Sequence, residues 1–378
     1  MTKRSALAAL FAALLFSPPL RCAAAPDAHR YGRRSEVRAG DTVVTVLFLK
    51  GTPYQMGYAH GKLCAAEARH LARTTAPAML RGLGKTTAEV DRIWAGYARH
   101  LRREYLEELR GLADGAGLTR AEVYRLHAMP DISEWHCTFF AAAPPASPSG
   151  VLQIRALDYE TGAGIQRHPA LIVCKPNRGV PFVNVGWLGM CGVVSGMNAA
   201  GIAMSEIGDD WAKATDSFDG RPLTYVMRDV VQFARSMNGA VSLVRDRPRT
   251  TSLLYCLSSG RERQICALQT SRRQCRVYSP ANLPFRTRPG LVYLSMGMDS
   301  DWNQKVGNAL LKRYGTLNVH AAQELMRTLK TGNLHAVVFR PDTGDLWVAN
   351  ATDDTMAFDR PYVRFSLRDA LRDRFFRR

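Results

Sequence analysis

The chain has 378 residues, 46% of them hydrophobic, and a formal net charge of +18 at pH 7. That apolar content supports a sizeable core and excludes a disordered protein, and the length fits one large domain or two ordinary ones. The basic residues are scattered, clustering only at 99–103, 272–276 and 368–378 without interleaved aromatics, so they read as a solvated basic surface and not as a nucleic-acid module.

In chain order, Lys3 and Arg4 precede an apolar run from Ala6 to Phe16, and Cys22-Ala-Ala-Ala25 supplies small residues for a peptidase. This is the pattern of a secretory signal over residues 1–25, which predicts a secreted or periplasmic protein. The run falls short of the about 20 apolar residues that a membrane span needs, and no later run is longer, so no integral span is expected. Thr42 to Leu49 alternates as a strand. Gly51-Thr-Pro-Tyr54 opens a helix to about Met79. Thr86 with Glu89, and Thr119 with Glu122, are capping boxes for two more helices, the first ending near Gly111 and the second at Pro130. Residues 26–136 therefore read as a helical N-terminal segment.

From residue 137 the period changes. Short strands are predicted at Cys137–Ala142, Val151–Asp158, Leu171–Cys174, Phe182–Trp187, Val193–Met197 and Ile202–Glu206. The last two flank Asn198-Ala-Ala-Gly201, a hairpin signal. Helices follow at Pro222–Arg235 and Gly239–Arg245, then strands at Ser252–Leu257, Gln264–Thr270, Cys275–Tyr278 and Leu291–Leu294. Two helices near 302–314 and 319–329 precede a final hairpin, His335–Arg340 and Leu346–Ala349. Hairpins covered by helix pairs predict an α+β layered catalytic domain over 137–378.

With Cys22 removed and Cys137 set aside for chemistry, six cysteines remain of the eight. In an oxidising compartment that even number permits disulfides, and Cys256 and Cys266 flank the turn Ser259-Gly260-Arg261. No cysteines have the close spacing of a structural zinc site, and no P-loop or zinc-protease helix motif occurs, so neither metal nor cofactor is expected. Gly189-Met-Cys191-Gly resembles a nucleophile elbow, but Val193 stands where the closing glycine belongs.

Cys137 is the stronger candidate nucleophile. The loop after it is centred near Ala146, and strands paired about that centre place Cys137 opposite Arg155 or within a residue of it. A guanidinium beside a thiol favours the thiolate. Asp158, three residues further on, is placed to orient the attacking group or its proton carrier.

The series Gly51-Thr-Pro-Tyr-Gln-Met-Gly57-Tyr-Ala-His-Gly61, Cys137-Thr-Phe-Phe-Ala-Ala, Arg155-Ala-Leu-Asp158-Tyr and Gly196-Met-Asn198-Ala-Ala-Gly201 resembles the isopenicillin N acyltransferase-like family of N-terminal-nucleophile cysteine hydrolases, relatives of choloylglycine hydrolases and acid ceramidases. Gly332-Asn-Leu-His335 and Leu346-Trp-Val-Ala-Asn350 extend the likeness over most of the mature chain. The resemblance implies a four-layer αββα sandwich. It implies that Cys137 becomes a new N-terminus by self-cleavage after His136, with its freed α-amine as general base and Arg155 and Asp158 beside it. The partner it implies is a small-molecule, peptide or acyl-lipid amide. Two positions depart from the pattern. Ser205-Glu206-Ile207-Gly208 stands where relatives carry an oxyanion-binding Asn, and Ser295 is the polar residue where others carry Asn or Arg. A carboxylate binds an oxyanion only when protonated, so Glu206 reads as a proton or orientation partner. Asn333 and His335 complete the candidate site. Two alternatives stand beside this reading: a papain-like Cys137–His335 hydrolase without self-cleavage, and a non-catalytic secreted binding protein on the same fold.

Overall fold

The computed structural model describes residues 25–133, 137–295 and 297–377. The expected signal peptide lies outside the described residues. After a four-residue helix, Gly32–Ala39 (β1) and Thr42–Gly51 (β2) form an antiparallel pair. The helical region follows: Pro53–Leu63 (α1), Ala65–His70 (α2), a π-helical turn Leu71–Thr75, Ala76–Gly82 (α3), Thr87–Ala98 (α4), Arg103–Ala116 (α5) and Arg120–Ile132 (α6). Capping boxes start α1, α4 and α6, at Thr52 with Gln55, Thr86 with Glu89, and Thr119 with Glu122. Each satisfies two backbone or side-chain partners that a helix start otherwise leaves open. The second predicted helix divides in two. The break presents Arg99 and His100 to Asp219, and Arg102 to the fully buried Asp229. The third runs two residues beyond Pro130.

The strands that follow are Thr138–Ala142 (β3), Leu152–Leu157 (β4), Pro169–Pro176 (β5), Phe182–Trp187 (β6), Ser195–Asn198 (β7) and Ile202–Gly208 (β8). Leu223–Phe233 (α7) and Met237–Arg245 (α8) precede Leu253–Ser259 (β9), Gln264–Thr270 (β10), Cys275–Tyr278 (β11) and Leu291–Ser295 (β12). Asp301–Lys312 (α9) and Val319–Leu329 (α10) lead to His335–Arg340 (β13), Asp345–Asn350 (β14) and Val363–Ser366 (β15).

Two sheets result, ordered β1-β2-β5-β6-β7-β8-β9-β10-β11 and β12-β3-β4-β13-β14-β15. The outer face of the larger sheet carries Ile172, Met204 and Leu257 against Met56 of α1 and Val226 and Val230 of α7. The outer face of the smaller carries Phe140, Ile154 and Val338 against Val306 of α9 and Met326 of α10. Between the sheets pack Val46, Val173 and Val183 of the larger with Val337, Phe339 and Val348 of the smaller. The architecture is α+β, in the layer order helix, sheet, sheet, helix, as the sequence predicts. Because β1 and β2 continue the nine-stranded sheet, the division at 136/137 is one of chain order and not of separately packed bodies.

The glycines of the 51–61 motif have a packing role. A Cβ on Gly57 would lie 1.9 Å from the Glu108 carbonyl oxygen, and one on Gly61 2.4 Å from that of Leu112. Gly111 and Gly115 of α5 meet the Tyr54 and Tyr58 carbonyls of α1 as closely, at 2.2 Å each. Four glycines thus let two helix backbones touch, holding the N-terminal helices over one end of the sandwich. Buried polar pairs tie the same region down. Arg228 of α7 pairs with Glu108 of α5 at 2.8 Å, and the imidazoles of His60 and His127 accept the backbone N–H groups of Gly189 and Cys191.

Candidate active site

β3 and β4 pair with Phe139 opposite Arg155 and Thr138 opposite Ala156. The expected register is therefore corrected by two residues: the strand partner of Arg155 is Phe139, not Cys137. A shift of two keeps every side chain on its predicted face, and the guanidinium reaches back along the strand. Arg155 Nη2 lies 3.7 Å from Cys137 Sγ. β13 adds the next row, with His335 opposite Leu157. Cys137, Arg155 and His335 thus share the inner face of the smaller sheet.

β7 stops pairing with β8 at Ser195 opposite Ser205, so β8 loses that neighbour from Glu206 onward. Arg155 fills the gap. Its Nη2 forms a very short ion pair with the Glu206 carboxylate, its Nε donates to the Glu206 carbonyl at 3.0 Å, and its Nη1 donates to Ser195 Oγ at 3.4 Å. The pair is buried, with side chains 1% and 8% exposed. Arg155 favours the thiolate, as expected, but burial outweighs it. Burial pushes the Cys137 thiol up to about 12; Arg155 pulls it down, but Glu206 and Asp158 push it up again. The guanidinium charge is already spent on Glu206.

Asp158 follows β4 and turns its carboxylate to the segment before β13. It accepts from Thr331 Oγ1 at 2.6 Å and from the backbone N–H groups of Gly332 and Asn333 at 2.7 and 2.9 Å. Burial raises its pKa, and these bonds oppose the rise. Its own carbonyl oxygen lies 3.9 Å from Cys137 Sγ. Asn333 makes a reciprocal pair with Tyr159, accepting from its N–H at 2.7 Å and donating to its carbonyl at 2.9 Å. Ser295 Oγ donates to the Cys137 carbonyl at 3.2 Å and shares a 2.6 Å bond with Thr138 Oγ1. His335 Nε2 faces Ser195 Oγ at 3.2 Å, its ring stacks on Trp187, and burial holds its pKa well below the usual histidine range.

All six residues singled out from the sequence, Cys137, Arg155, Asp158, Glu206, Asn333 and His335, are thus gathered at one end of the sandwich. Ser195, Thr331 and Tyr159 were not singled out. Thr331 adjoins the Gly332-Asn333 turn and Tyr159 closes the Arg155-Ala-Leu-Asp158-Tyr motif, so both were accessible to the same reasoning; Ser195 carries no sequence signal.

Cys137, Arg155 and Glu206 open onto a small, mostly apolar cavity of about 60 Å³. Its walls are Leu71, Met79, Leu126 and Met129 from the N-terminal helices and Trp187, Met190 and Val194 from the sandwich. The N-terminal helices are therefore a wall of the site.

The expected disulfide is corrected as well. Cys256 stands opposite Ala267, and Cys266 opposite Leu257, so the two thiols point to opposite faces of the sheet. Cys256 packs between the sheets and Cys266 against α8, 3.6 Å from Met237 sulfur. All seven cysteines among the described residues are free. Among those residues no group of three or more His, Cys, Asp or Glu could hold a metal, and no helix is long and apolar enough to cross a membrane.

No family model matches the chain. It is 23% identical over 369 residues to Protein dcd1A of Dictyostelium discoideum, covering 85% of this chain and 82% of that one. It is 24% identical over 349 residues to Protein dcd1B of the same organism, covering 82% and 68%. Among solved structures, the Caenorhabditis elegans ortholog of N-acylethanolamine-hydrolyzing acid amidase matches with a TM-score of 0.45 at 14% identity, over 60% of this chain and 99% of that one. The conjugated bile acid hydrolase of Clostridium perfringens matches at 0.42 and 10%, over 64% and 94%. At these scores the layer order rests on the strands and helices themselves.

Proposed function

We propose that the chain is an exported N-terminal-nucleophile cysteine enzyme that hydrolyses, or transfers the acyl group of, a C–N amide bond through a Cys137 thioester. The observation that carries this reading is the position of Cys137: at the start of an inner strand, on the wall of an apolar cavity, with a guanidinium 3.7 Å from its sulfur. A thiol held up to about 12 is a weak nucleophile at neutral pH, enough for one slow self-cleavage, so repeated turnover needs a base beside it. Self-cleavage supplies one. The thiol attacks the carbonyl of residue 136, the C–N bond to Cys137 breaks as the sulfur ester forms, and water releases that ester as a carboxylate. The freed α-amine then takes the thiol proton as the sulfur attacks a substrate amide. It returns the proton to the departing amine, and water or a second amine takes the acyl group from sulfur. Arg155 is the cation closest to the sulfur, fixed by Glu206 and Ser195, and Asp158 with Asn333 holds the turn before β13 in place.

His335 is a poor alternative base, since its Nε2 is engaged by Ser195 and burial already weakens its hold on a proton. The test is to mix the protein with N-decanoyl-4-nitroaniline, quench in acid and weigh the fragments. A decanoyl adduct on the Cys137 peptide, absent from Cys137→Ala, is the expected result. Turnover by Cys137→Ala would refute the proposal.

A further inference from the structure

Two side chains in the cavity do not fit a purely apolar acyl site. Thr75 and Trp187 both line it, and they are only 1% and 3% exposed. Thr75 Oγ1 and Trp187 Nε1 are both buried without a hydrogen-bond partner. Buried polar atoms are almost always paired, so two orphans on one cavity call for an explanation. Local structure sharpens the point for Thr75. A helical threonine usually satisfies its hydroxyl on the carbonyl four residues back. Thr75 ends the π-helical turn Leu71–Thr75, and the Leu71 carbonyl there accepts from the Ala76 N–H. Widened turns of this kind are rare and concentrate at functional sites. Trp187 comes from the sandwich, and its indole N–H can only donate.

The chemistry decides which half of a substrate meets these groups. The leaving amine must depart, and water or an acceptor must enter, while the acyl group is still bound to sulfur. The apolar cavity therefore keeps the acyl chain.

We propose that Thr75 and Trp187 form the polar element of an acyl subsite. The acyl groups it takes are apolar chains that carry a hydrogen-bond acceptor, such as a keto or amide oxygen, within the chain. A plain alkyl chain fills the same space but leaves both donors unpaired, and a site built to hydrogen-bond discriminates against a ligand that cannot answer it. The assignment of this side to the acyl group rests on the function proposed above; the subsite's selectivity can be measured without it.

Free carboxylic acids are not turned over, so their binding to wild-type protein is independent of catalysis. The experiment is calorimetric titration with decanoic acid and with decanoic acids carrying a keto group at each carbon in turn. At one chain position the keto acid is expected to bind roughly five- to fiftyfold tighter than decanoic acid, from one or two neutral hydrogen bonds. Thr75→Val, which keeps the shape and removes the hydroxyl, and Trp187→Phe, which removes the N–H, should each reduce that preference about fivefold. Thr75→Val should melt no lower than wild type, because it deletes an unpaired buried group. Keto acids that all bind within twofold of decanoic acid, or a preference that survives both substitutions, would overturn the proposal. The preference without any decanoyl adduct on Cys137 would leave the subsite standing and remove the enzyme; an adduct without the preference would do the reverse.

Discussion

The most informative single substitution is Glu206→Gln. In the wild type the Glu206 carboxylate neutralises Arg155, and the buried thiol beside them sits at about 12. Glutamine keeps the size and a hydrogen-bond acceptor but removes the charge, leaving the guanidinium 3.7 Å from the sulfur with no counter-ion. At an effective dielectric of about 20, one unit charge at that distance favours the thiolate by about 4–5 kcal/mol. The thiol at about 12 already includes that pull, so the substitution adds only the loss of the Glu206 push, and the thiol should fall from about 12 by less than this interaction allows. The assay is the rate of iodoacetamide alkylation of Cys137 against pH. Glu206→Gln should be alkylated at a lower pH than the uncleaved wild-type chain. Arg155→Gln should go the other way and stay unreactive through pH 10. An unpaired buried cation costs about 3 kcal/mol, so the glutamine variant also melts earlier, and near-ultraviolet circular dichroism confirms that it is folded before alkylation. A folded Glu206→Gln protein with an unchanged alkylation profile would refute the claim that Glu206 holds the thiol protonated.

Further expectations follow from the same geometry. Asp158→Asn presents an amide to donors that now meet a carboxylate, loosens the 331–333 turn and lowers stability by about 2 kcal/mol in urea melts, with kcat falling more than KM rises. Burial lifts Asp131 to about 7, far above an unfolded carboxylate; the folded state therefore holds its proton between pH 4 and 7 while the unfolded state releases it, and stability is lost as pH rises. Asp131→Asn should remove that loss, gaining about 1.4 kcal/mol per pH unit over wild type across this window. His127 is held down to about 4 by burial, so its contribution has the opposite sign: present above the unfolded histidine pKa and lost as pH falls toward 4. His127→Gln should flatten the acid limb of the same melts. Gly57→Ala forces a methyl onto the Glu108 carbonyl and should cost about 3 kcal/mol, read as an earlier melt with loss of the cavity wall.

Much of this fold could be read from local chemistry. The capping boxes at Thr86 and Thr119 mark helix starts because each is a self-contained pair of hydrogen bonds, and the Asn198 hairpin reads for the same reason; the third box, at Thr52, was not read. What escaped the sequence is set by partners far along the chain. β1 is a polar edge strand, Gly32-Arg-Arg-Ser-Glu-Val-Arg-Ala39, and it has no alternating pattern to betray it. The β3–β4 register slipped by two because the loop between the strands is centred one residue later than Ala146. Side-chain parity survived the slip, which is why Cys137 and Arg155 still meet. The two hairpin cysteines were misread for the complementary reason: Cys256 and Cys266 differ by one in register, and a difference of one reverses the face. The thiol's acidity depends first on burial and then on Glu206 as well as Arg155; burial is set by the whole fold, and the approach of Glu206 to Arg155 needs β7 to end early, a length no local signal gives.

The central claim is that Cys137 works as a freed N-terminus, and fragment masses of purified wild-type and Cys137→Ala protein test it most directly. The account predicts two fragments from wild type, the larger beginning at Cys137, and one intact chain from Cys137→Ala. Fully active wild-type protein that weighs as a single chain, with His136 still joined to Cys137, would contradict it.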